Sequence, residues 1–455
     1  MNPFHHPSNT QETSMSQRSD NIPTAASGID RRHLLQAAAG AAGAAMYPSL
    51  AQAQPRTWSD WGWPMPYQQV SSSSVNWLKS KGWWPFKIAW NPLWSDGNVL
   101  LFTMLHYKLL ESRGLEVAWS ELLTAGLTNE AFVPGRIQLG QGGSLGLLRL
   151  IDLKVPTAAV AAFPAQRQAF MVPPDSPLKN GLMDLKDARV LKRPAVCGIT
   201  IGSTPHLGLL IAARVLGLQE GRDFVIKNLG PGDIITMPRG VDVVGIWEPN
   251  VLLMTEFRKN ARILELVDRY QVFNGYSWAR GELEEGAPDV LQAYTDAMIE
   301  ARLIARQKPE EVLAALVAHP SQRGRDPELI RRDLEIHILG PKPTINYPHE
   351  NSGGFWIPLE SFQANVMADA GVLTRRYSEA DFKAVLRPRY LAATFEKLGW
   401  NVPDKPVFLP SGWNGKAGAP PYPAYGVAHN GRQEFPAEGD LKREWTFSGK
   451  VFRPR

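Results

Sequence analysis

The sequence predicts an α/β protein with two folded units, and three observations lead to that class. The chain has 455 residues, enough at roughly 100 to 200 residues per domain for two or three units. Short apolar runs alternate with helix-period segments through Gly-rich junctions, the pattern of a mostly parallel sheet with ligand loops at the strand carboxyl ends. A proline-rich stretch, Val172 to Pro177, then separates this block from a second alternating block. Hydrophobic residues at 44% and charged residues at 20% lie near globular averages and exclude a collagen-like, coiled-coil or wholly disordered chain.

Residues 1–29 are polar and compositionally disordered. Asp30, Arg31, Arg32, His33, Leu34 and Leu35 follow, then an Ala/Gly run from Ala37 to Ala45 and the triplet Ala51, Gln52, Ala53. This is a charged region, a short weakly apolar region and a small-x-small cleavage site. Adjacent arginines before a mild apolar region resemble a twin-arginine export signal. The expectation is export in the folded state by the twin-arginine translocase, cleavage near Ala53 and a periplasmic location. The apolar run is too short to anchor the chain, and no cysteine near the cleavage site offers a lipid attachment point. Residues 54–85 hold six tryptophans between prolines and a Ser71 to Ser74 run, without helical or strand period, and read as an irregular arm docked through its indoles.

From Phe86 the pattern is regular. Phe86 to Trp90 reads as a strand, Asn91 to Gly97 as a turn-rich loop and Asn98 to Ser112 as a helix. Leu115 to Trp119, Arg136 to Gly140 and Thr157 to Phe163 read as further strands, with a helix over Leu145 to Leu150. In the second block, strands are predicted at Ala195 to Ile199, Phe224 to Asn228, Val241 to Ile246 and Ile263 to Val267. Gly202, Ser203, Thr204, Pro205 and His206 open a strong helix through Leu216. Phe273 to Trp278 would return the chain to the first unit. Helical period dominates Pro288 to Leu339 and Leu359 to Leu398, and a Pro/Gly-rich tail follows Trp400.

Composition excludes several chemistries. A single cysteine, Cys197, makes neither an intramolecular disulfide nor a multi-thiolate metal site, and in a predicted strand it reads as a small buried hydrophobe. The nine histidines show no H-x-x-x-H or H-x-E spacing, so no metal site is expected. The formal charge of +5 comes without a Lys/Arg stripe, which argues against a nucleic-acid partner. There is no P-loop and no dinucleotide fingerprint, and no cofactor is expected. Gly142, Gly143, Ser144, Leu145 and Gly146 formally match a nucleophile elbow at a strand-to-helix junction, but no segment singles out the acid and histidine that would complete it.

Taken in order, the segments resemble the nitrate, sulfonate and taurine branch of the periplasmic substrate-binding proteins of ABC importers. The residues that carry the resemblance are Asp184, Leu185, Lys186; Gly202, Ser203, Thr204; Leu229, Gly230, Pro231; and Val241, Asp242, Trp247, Glu248, Pro249. It runs from about Phe86 to Trp400. The Trp-rich arm, the long C-terminal tail and a short segment between Asp233 and Val241 depart from the family pattern. The resemblance implies a two-lobe α/β fold of the type 2 periplasmic binding proteins, each lobe a sheet flanked by helices, joined by two hinge crossings. Lobe one would comprise residues 86–171 with 275–400, lobe two residues 172–274, and residues 401–455 a C-terminal extension. It also implies a monomer that delivers ligand to an ABC permease and catalyses no reaction.

The residues suit such a site. Gly142, Gly143, Ser144 and Gly202, Ser203, Thr204 lie at predicted helix starts, where unpaired N–H groups and the positive end of the dipole favour an anion. The rival role for Ser144, Ser203 and Thr204 is helix capping. Trp94 and Ser95 in the first loop, and Trp247 at a strand end, are expected beside an apolar or aromatic ligand body, with core packing the alternative for the indoles. Glu248 would accept from the ligand or hold the lobes together. His206, in a first helical turn where positive charge is disfavoured, would be a neutral donor or a cap. The expected ligand is a small organic anion, sulfonate-like or an aromatic acid. The alternatives are a thiamine-pyrimidine precursor or a flavin, or a periplasmic enzyme or sensor on the same scaffold.

Overall fold

The computed structural model describes residues 63, 65–92, 95–163, 167–187, 189–271, 275–337, 353–401, 420–422, 441–447 and 450–452. The expected export signal (1–53), Trp94 and most of the C-terminal extension lie outside the described residues.

Two five-stranded sheets organise the chain. The first takes β1 (Phe86–Trp90), β2 (Val117–Glu121), β3 (Leu139–Gly143) and β4 (Thr157–Phe163), then receives β10 (Gly275–Arg280) from far downstream, in the order β2-β1-β3-β10-β4. The second takes β5 (Gln168–Val172), β6 (Ala195–Ile199), β7 (Phe224–Asn228), β8 (Val243–Trp247) and β9 (Arg262–Leu266), in the order β7-β6-β8-β5-β9. Four of the five strands in each sheet run the same way, the mostly parallel sheet expected from the sequence, and one strand runs against them. β1 runs parallel to β2 and β3, but β10 is antiparallel to β3 and β4. In the second sheet β6 is parallel to β7 and β8, and β5 is antiparallel to β8 and β9. The strand that enters each sheet from the other side of the molecule arrives without a crossover helix, so it pairs antiparallel.

A correction concerns the crossing. The proline-rich stretch after Val172 is not where the chain changes sheets, because β5 already pairs with β8 and β9. The change falls between β4 and β5, around Arg167. All of β5 is buried, so its sequence lacks the alternation that marks a half-exposed strand.

The helices that matter for the site are α1 (Ser72–Ser80), α2 (Ser95–His106), α3 (Ala125–Phe132), α4 (Ser144–Asp152) and α5 (Thr204–Leu216). Downstream lie α6 (Pro288–Gln307), α7 (Pro309–Ala318), α8 (Pro327–His337), α9 (Gly353–Asp369) and α10 (Pro388–Leu398). No helix among the described residues is long and apolar enough to cross a membrane.

Helix α1 corrects the expectation of an irregular arm. Serine is a weak helix former, but Ser71 Oγ accepts the Ser74 N–H at 3.2 Å as an N-cap. Asp289 of α6 receives the Ser71 N–H at 2.7 Å and the Ser74 hydroxyl at 2.5 Å. Leu78 is fully buried. Capping and burial, rather than propensity, hold the arm as a helix against lobe one. At the other end, β11 (Trp445–Phe447) and β12 (Lys450–Phe452) form an antiparallel hairpin, and Leu441 bridges to Trp400.

One buried apolar cluster contains Leu147, Tyr276 and Trp278 of lobe one, Phe170, Leu207 and Ile211 of lobe two, and Ala364 and Met367 of α9. The two sheets thus share a core on one flank, where α9 packs on α5 and α4. A carboxylate fixes this junction. Glu360 of α9, 1% exposed, accepts from Ser144 and Tyr276 at 2.9 Å each and from Gln363 at 3.2 Å.

Candidate functional site

Between the sheets lies a cavity of about 310 Å³. Three helix starts meet there. Thr124, Ala125 and Gly126 come from the start of α3; Gly142, Gly143, Leu145 and Gly146 from the β3–α4 junction; Thr200 to Thr204 from the β6–α5 junction. First-turn N–H groups have no intrahelical acceptor, so three sets of donors and three positive dipole ends converge on one space.

The side chains at these starts are used locally. Thr124 Oγ1 accepts the Leu127 N–H at 3.2 Å, and Ser203 Oγ accepts the His206 N–H at 3.4 Å. Both are N-caps. Asn129 donates to the Gly146 carbonyl at 2.8 Å and ties α3 to α4. Asn91, in the loop after β1, donates to the Leu123 carbonyl at 2.9 Å.

The glycines permit this close approach. A Cβ on Gly142 would stand 2.7 Å from Ala125 Cβ and 2.9 Å from the Trp278 ring, both closer than van der Waals contact allows. Trp278 is fully buried and floors the junction. Gly142→Ala is expected to destabilise by about 1–3 kcal/mol through overpacking, read as a lowered chemical-denaturation midpoint, and to push α3 away from the cavity.

Arg149 gives the site its charge. It lies on the second turn of α4, half-buried, and lines the cavity. It makes no hydrogen bond or ion pair among the described residues, and no carboxylate is among the lining residues. A guanidinium with no hydrogen bond or ion pair among the described residues, acted on by Asp152 one turn along the helix, suits an anion beside three helix starts. Gln168 and Trp247 complete the wall from lobe two.

No protein-family model matches the sequence, and no curated protein matches it. Solved structures do. The periplasmic aliphatic sulphonate binding protein of Escherichia coli has a TM-score of 0.54 at 20% identity, covering 67% of this chain and 98% of its own. The alkanesulfonate-binding protein of Xanthomonas axonopodis pv. citri, bound to MOPS, has a TM-score of 0.52 at 19% identity, covering 66% and 97%. The periplasmic nitrate-binding protein of Synechocystis has a TM-score of 0.57 at 15% identity, covering 81% and 95%. This chain has the periplasmic binding protein fold.

The binding-protein fold brings together some of the residues singled out in the sequence and not others. Gly142, Gly143, Gly202, Ser203, Thr204 and Trp247 line the cavity. Trp94 and the Ser95 side chain lie outside what is described; Ser95 begins α2. Ser144 is a correction. As the first residue of α4 it is 1% exposed and donates to Glu360, so its hydroxyl braces α9 and does not form a nucleophile elbow open to the cavity.

Glu248 is fully buried, pairs with the Arg167 guanidinium and accepts the Leu252 N–H at 2.9 Å. Burial raises its pKa, with Arg167 opposing. Arg167 stands at the crossing between the sheets, and Glu248 is not among the lining residues, which fits the second of its two expected roles, holding the lobes together. His206 is a second correction. Its ring is 5% exposed and lies beneath its own helix start, where Nδ1 accepts the Gly202 N–H at 3.2 Å. Cys197 is buried, and burial pushes its thiol up to about 12.

Sequence reasoning missed Asn91, Thr124, Ala125, Gly126, Asn129, Arg149 and Gln168. For α3, a signal was present: Thr124 before Ala125, Gly126, Leu127 is a capping residue ahead of a short helix. For Arg149 there was none, since a lone arginine on an amphipathic helix reads as solvated surface.

Proposed function

We propose that this chain is the exported solute-binding component of an ABC importer, which holds a small organic anion in the cavity between its lobes. The observation that carries the reading is the lining: three helix starts and Arg149, which has no ion pair among the described residues, with no carboxylate among the described lining residues. A neutral ligand would leave that guanidinium with only the field of Asp152, one turn along α4. The structural neighbours, named for sulphonate, alkanesulfonate and nitrate binding, support the anion class. Trp247, Ile201, Leu145 and Ala125 among the lining favour a ligand with an apolar body, sulfonate-like or an aromatic acid, over nitrate.

The ligand would engage lobe one through α3, α4 and Arg149, and lobe two through Thr204 and Trp247. Contact with both lobes favours the closed state by differential affinity. Export by the twin-arginine translocase, cleavage near Ala53, a monomeric periplasmic protein and delivery to a permease complete the proposal.

A thermal-shift screen tests it, using alkyl and aryl sulfonates, nitrate, aromatic carboxylates, pyrimidines and flavins on the purified protein. A ligand at 100 times its dissociation constant adds about 2.7 kcal/mol of stability. A shift with sulfonates or aromatic acids is the expected result. A shift confined to a pyrimidine or a flavin, or silence throughout, rejects the anion reading.

A further inference from the structure

The β6–α5 loop forms part of the lobe-two wall of the cavity, and the backbone donors from Ile201 to Leu207 can be assigned one by one. Ile201 N–H goes to Asn228 Oδ1 at 3.0 Å, and Gly202 N–H to His206 Nδ1 at 3.2 Å. Ser203 N–H goes to the Thr200 carbonyl at 3.0 Å. His206 N–H and Leu207 N–H both return to Ser203, through its hydroxyl and its carbonyl. Pro205 has no N–H. Among the described residues, the Thr204 N–H alone in this run is left for a ligand, and Thr204 lines the cavity.

The Gly202 bond differs in kind from the others. Gly202 sits at φ +84°, a left-handed conformation that glycine tolerates, and its N–H is held by a side chain that can titrate. For Nδ1 to accept, the ring must be neutral with its proton on Nε2. A proton on Nδ1 would turn the acceptor into a donor facing a donor.

The surroundings favour the neutral ring. Burial and then the Arg149 charge hold His206 below the ordinary histidine value, and the positive end of α5 acts in the same sense. Among the described residues, the elements packed most closely on α5 are α4, α9, β5, β8 and the turn Val267–Arg269. Besides Arg149, helix α4 brings Asp152, held by Thr374 and Tyr377. Strands β5 and β8 contain no charged residue. Helix α9 brings Glu360, held by Ser144, Tyr276 and Gln363, and Asp369, paired with Arg214 and Arg376. The turn brings Asp268 and Arg269, the latter near Glu265.

We propose that His206 is a positioning residue for the cavity: its neutral ring holds the Gly202 N–H and so keeps the Thr204 N–H at the cavity wall, and protonation of the ring releases that rim. The proposal rests on the anion reading above. It makes ligand capture weaken in acid although His206 is not among the residues that line the cavity. Anion binding by the helix starts alone would not predict this, because added positive charge would then only help.

The test has two arms. In the first, which needs no ligand, ring nitrogen shifts of His206 and Gly202 amide exchange are followed by NMR from about pH 7.5 to about pH 5. The expected result is the Nε2–H tautomer, with Gly202 exchange accelerating as the ring titrates. The Nδ1–H tautomer, or Gly202 exchange indifferent to that titration, overturns the proposal.

In the second arm, calorimetry with ethanesulfonate compares wild type with His206→Asn, whose Oδ1 can replace Nδ1 as an acceptor without titrating, and with His206→Leu. Wild type should lose about tenfold in affinity across the titration, the cost of a buried hydrogen bond. His206→Asn should hold its affinity with a flat profile, and His206→Leu should be about tenfold weaker at every pH. A leucine variant with wild-type affinity and pH profile, or an asparagine variant that keeps the wild-type slope, overturns it. If ethanesulfonate binds none of the proteins at any pH while aromatic acids also fail, the anion reading falls, and the first arm still decides whether His206 holds Gly202.

Discussion

Replacing Arg113 by methionine is expected to destabilise the protein by about 3–5 kcal/mol, the penalty of breaking a buried ion pair from one side. Arg113 and Glu300 of α6 are each 1% exposed and meet at 2.7 Å. Arg113 also donates to the Leu109 carbonyl at 2.8 Å, and its guanidinium lies 4.2 Å from the Tyr67 ring centroid and 5.5 Å from that of Trp63. Tyr67 in turn donates to Glu300 at 2.5 Å. The pair therefore clamps the arm to lobe one, with two aromatic faces against the cation. Burial raises the Glu300 pKa against the pull of Arg113, so the methionine variant leaves a carboxylate that must protonate or remain buried without its counter-charge. Urea denaturation checks this. The double variant Arg113→Met, Glu300→Leu should recover most of the loss, because a buried pair contributes little beyond an apolar replacement of similar volume. Arg189→Gln is the contrasting control: its pair with Asp187 is exposed, and no measurable change is expected. Equal midpoints for wild type and Arg113→Met would show that the arm is not clamped this way.

The same contrast between local pattern and tertiary context decides what the sequence could reveal. Strands β1, β4, β6 and β7 stand where their apolar runs predict them, since each is bounded by prolines, glycines or polar turns. Strand β3 is displaced toward its glycines, ending at Gly143 rather than Gly140. Leu-Gly-Gln-Gly-Gly has poor strand propensity, and what makes it a strand is pairing with β10 and β1, neither of which is visible locally. Helix α1 is formed by a serine cap and by Asp289, 218 residues away from Ser71. In the site, the glycines at helix starts and Trp247 were legible because their chemistry is local. Ser144, His206 and Glu248 were read toward the ligand, but each is held by a partner that sequence spacing does not give: Glu360 for Ser144, Arg167 for Glu248, and the backbone of Gly202, four residues earlier, for His206. Arg149 was silent for the converse reason, since only the packing of α3 across β3 turns its helix face into a cavity wall.

Arg149→Gln is expected to weaken binding of a sulfonate probe by about 10- to 100-fold while leaving the unliganded protein within about 0.5 kcal/mol of wild type. The first half follows from the strength of a hydrogen bond between charged groups, about 1.5–3 kcal/mol net, in a cavity where no other charged side chain lines the wall among the described residues. The second half follows because the guanidinium makes no ion pair among those residues, and Asp152, the carboxylate its charge acts on, keeps its bonds to Thr374 and Tyr377. Arg149→Lys should recover only part of the affinity, since an ammonium supplies the charge but not the planar two-pronged contact that suits a sulfonate or a carboxylate. The variant also bears on His206. Arg149 is the charged group whose field depresses that ring, so its removal should move the His206 titration upward and carry the Gly202 exchange profile with it. Calorimetry and the histidine titration on the same samples separate the two roles. Loss of affinity with an unmoved histidine would confine Arg149 to the head group; a moved histidine with unchanged affinity would show that the anion is held by the helix starts alone.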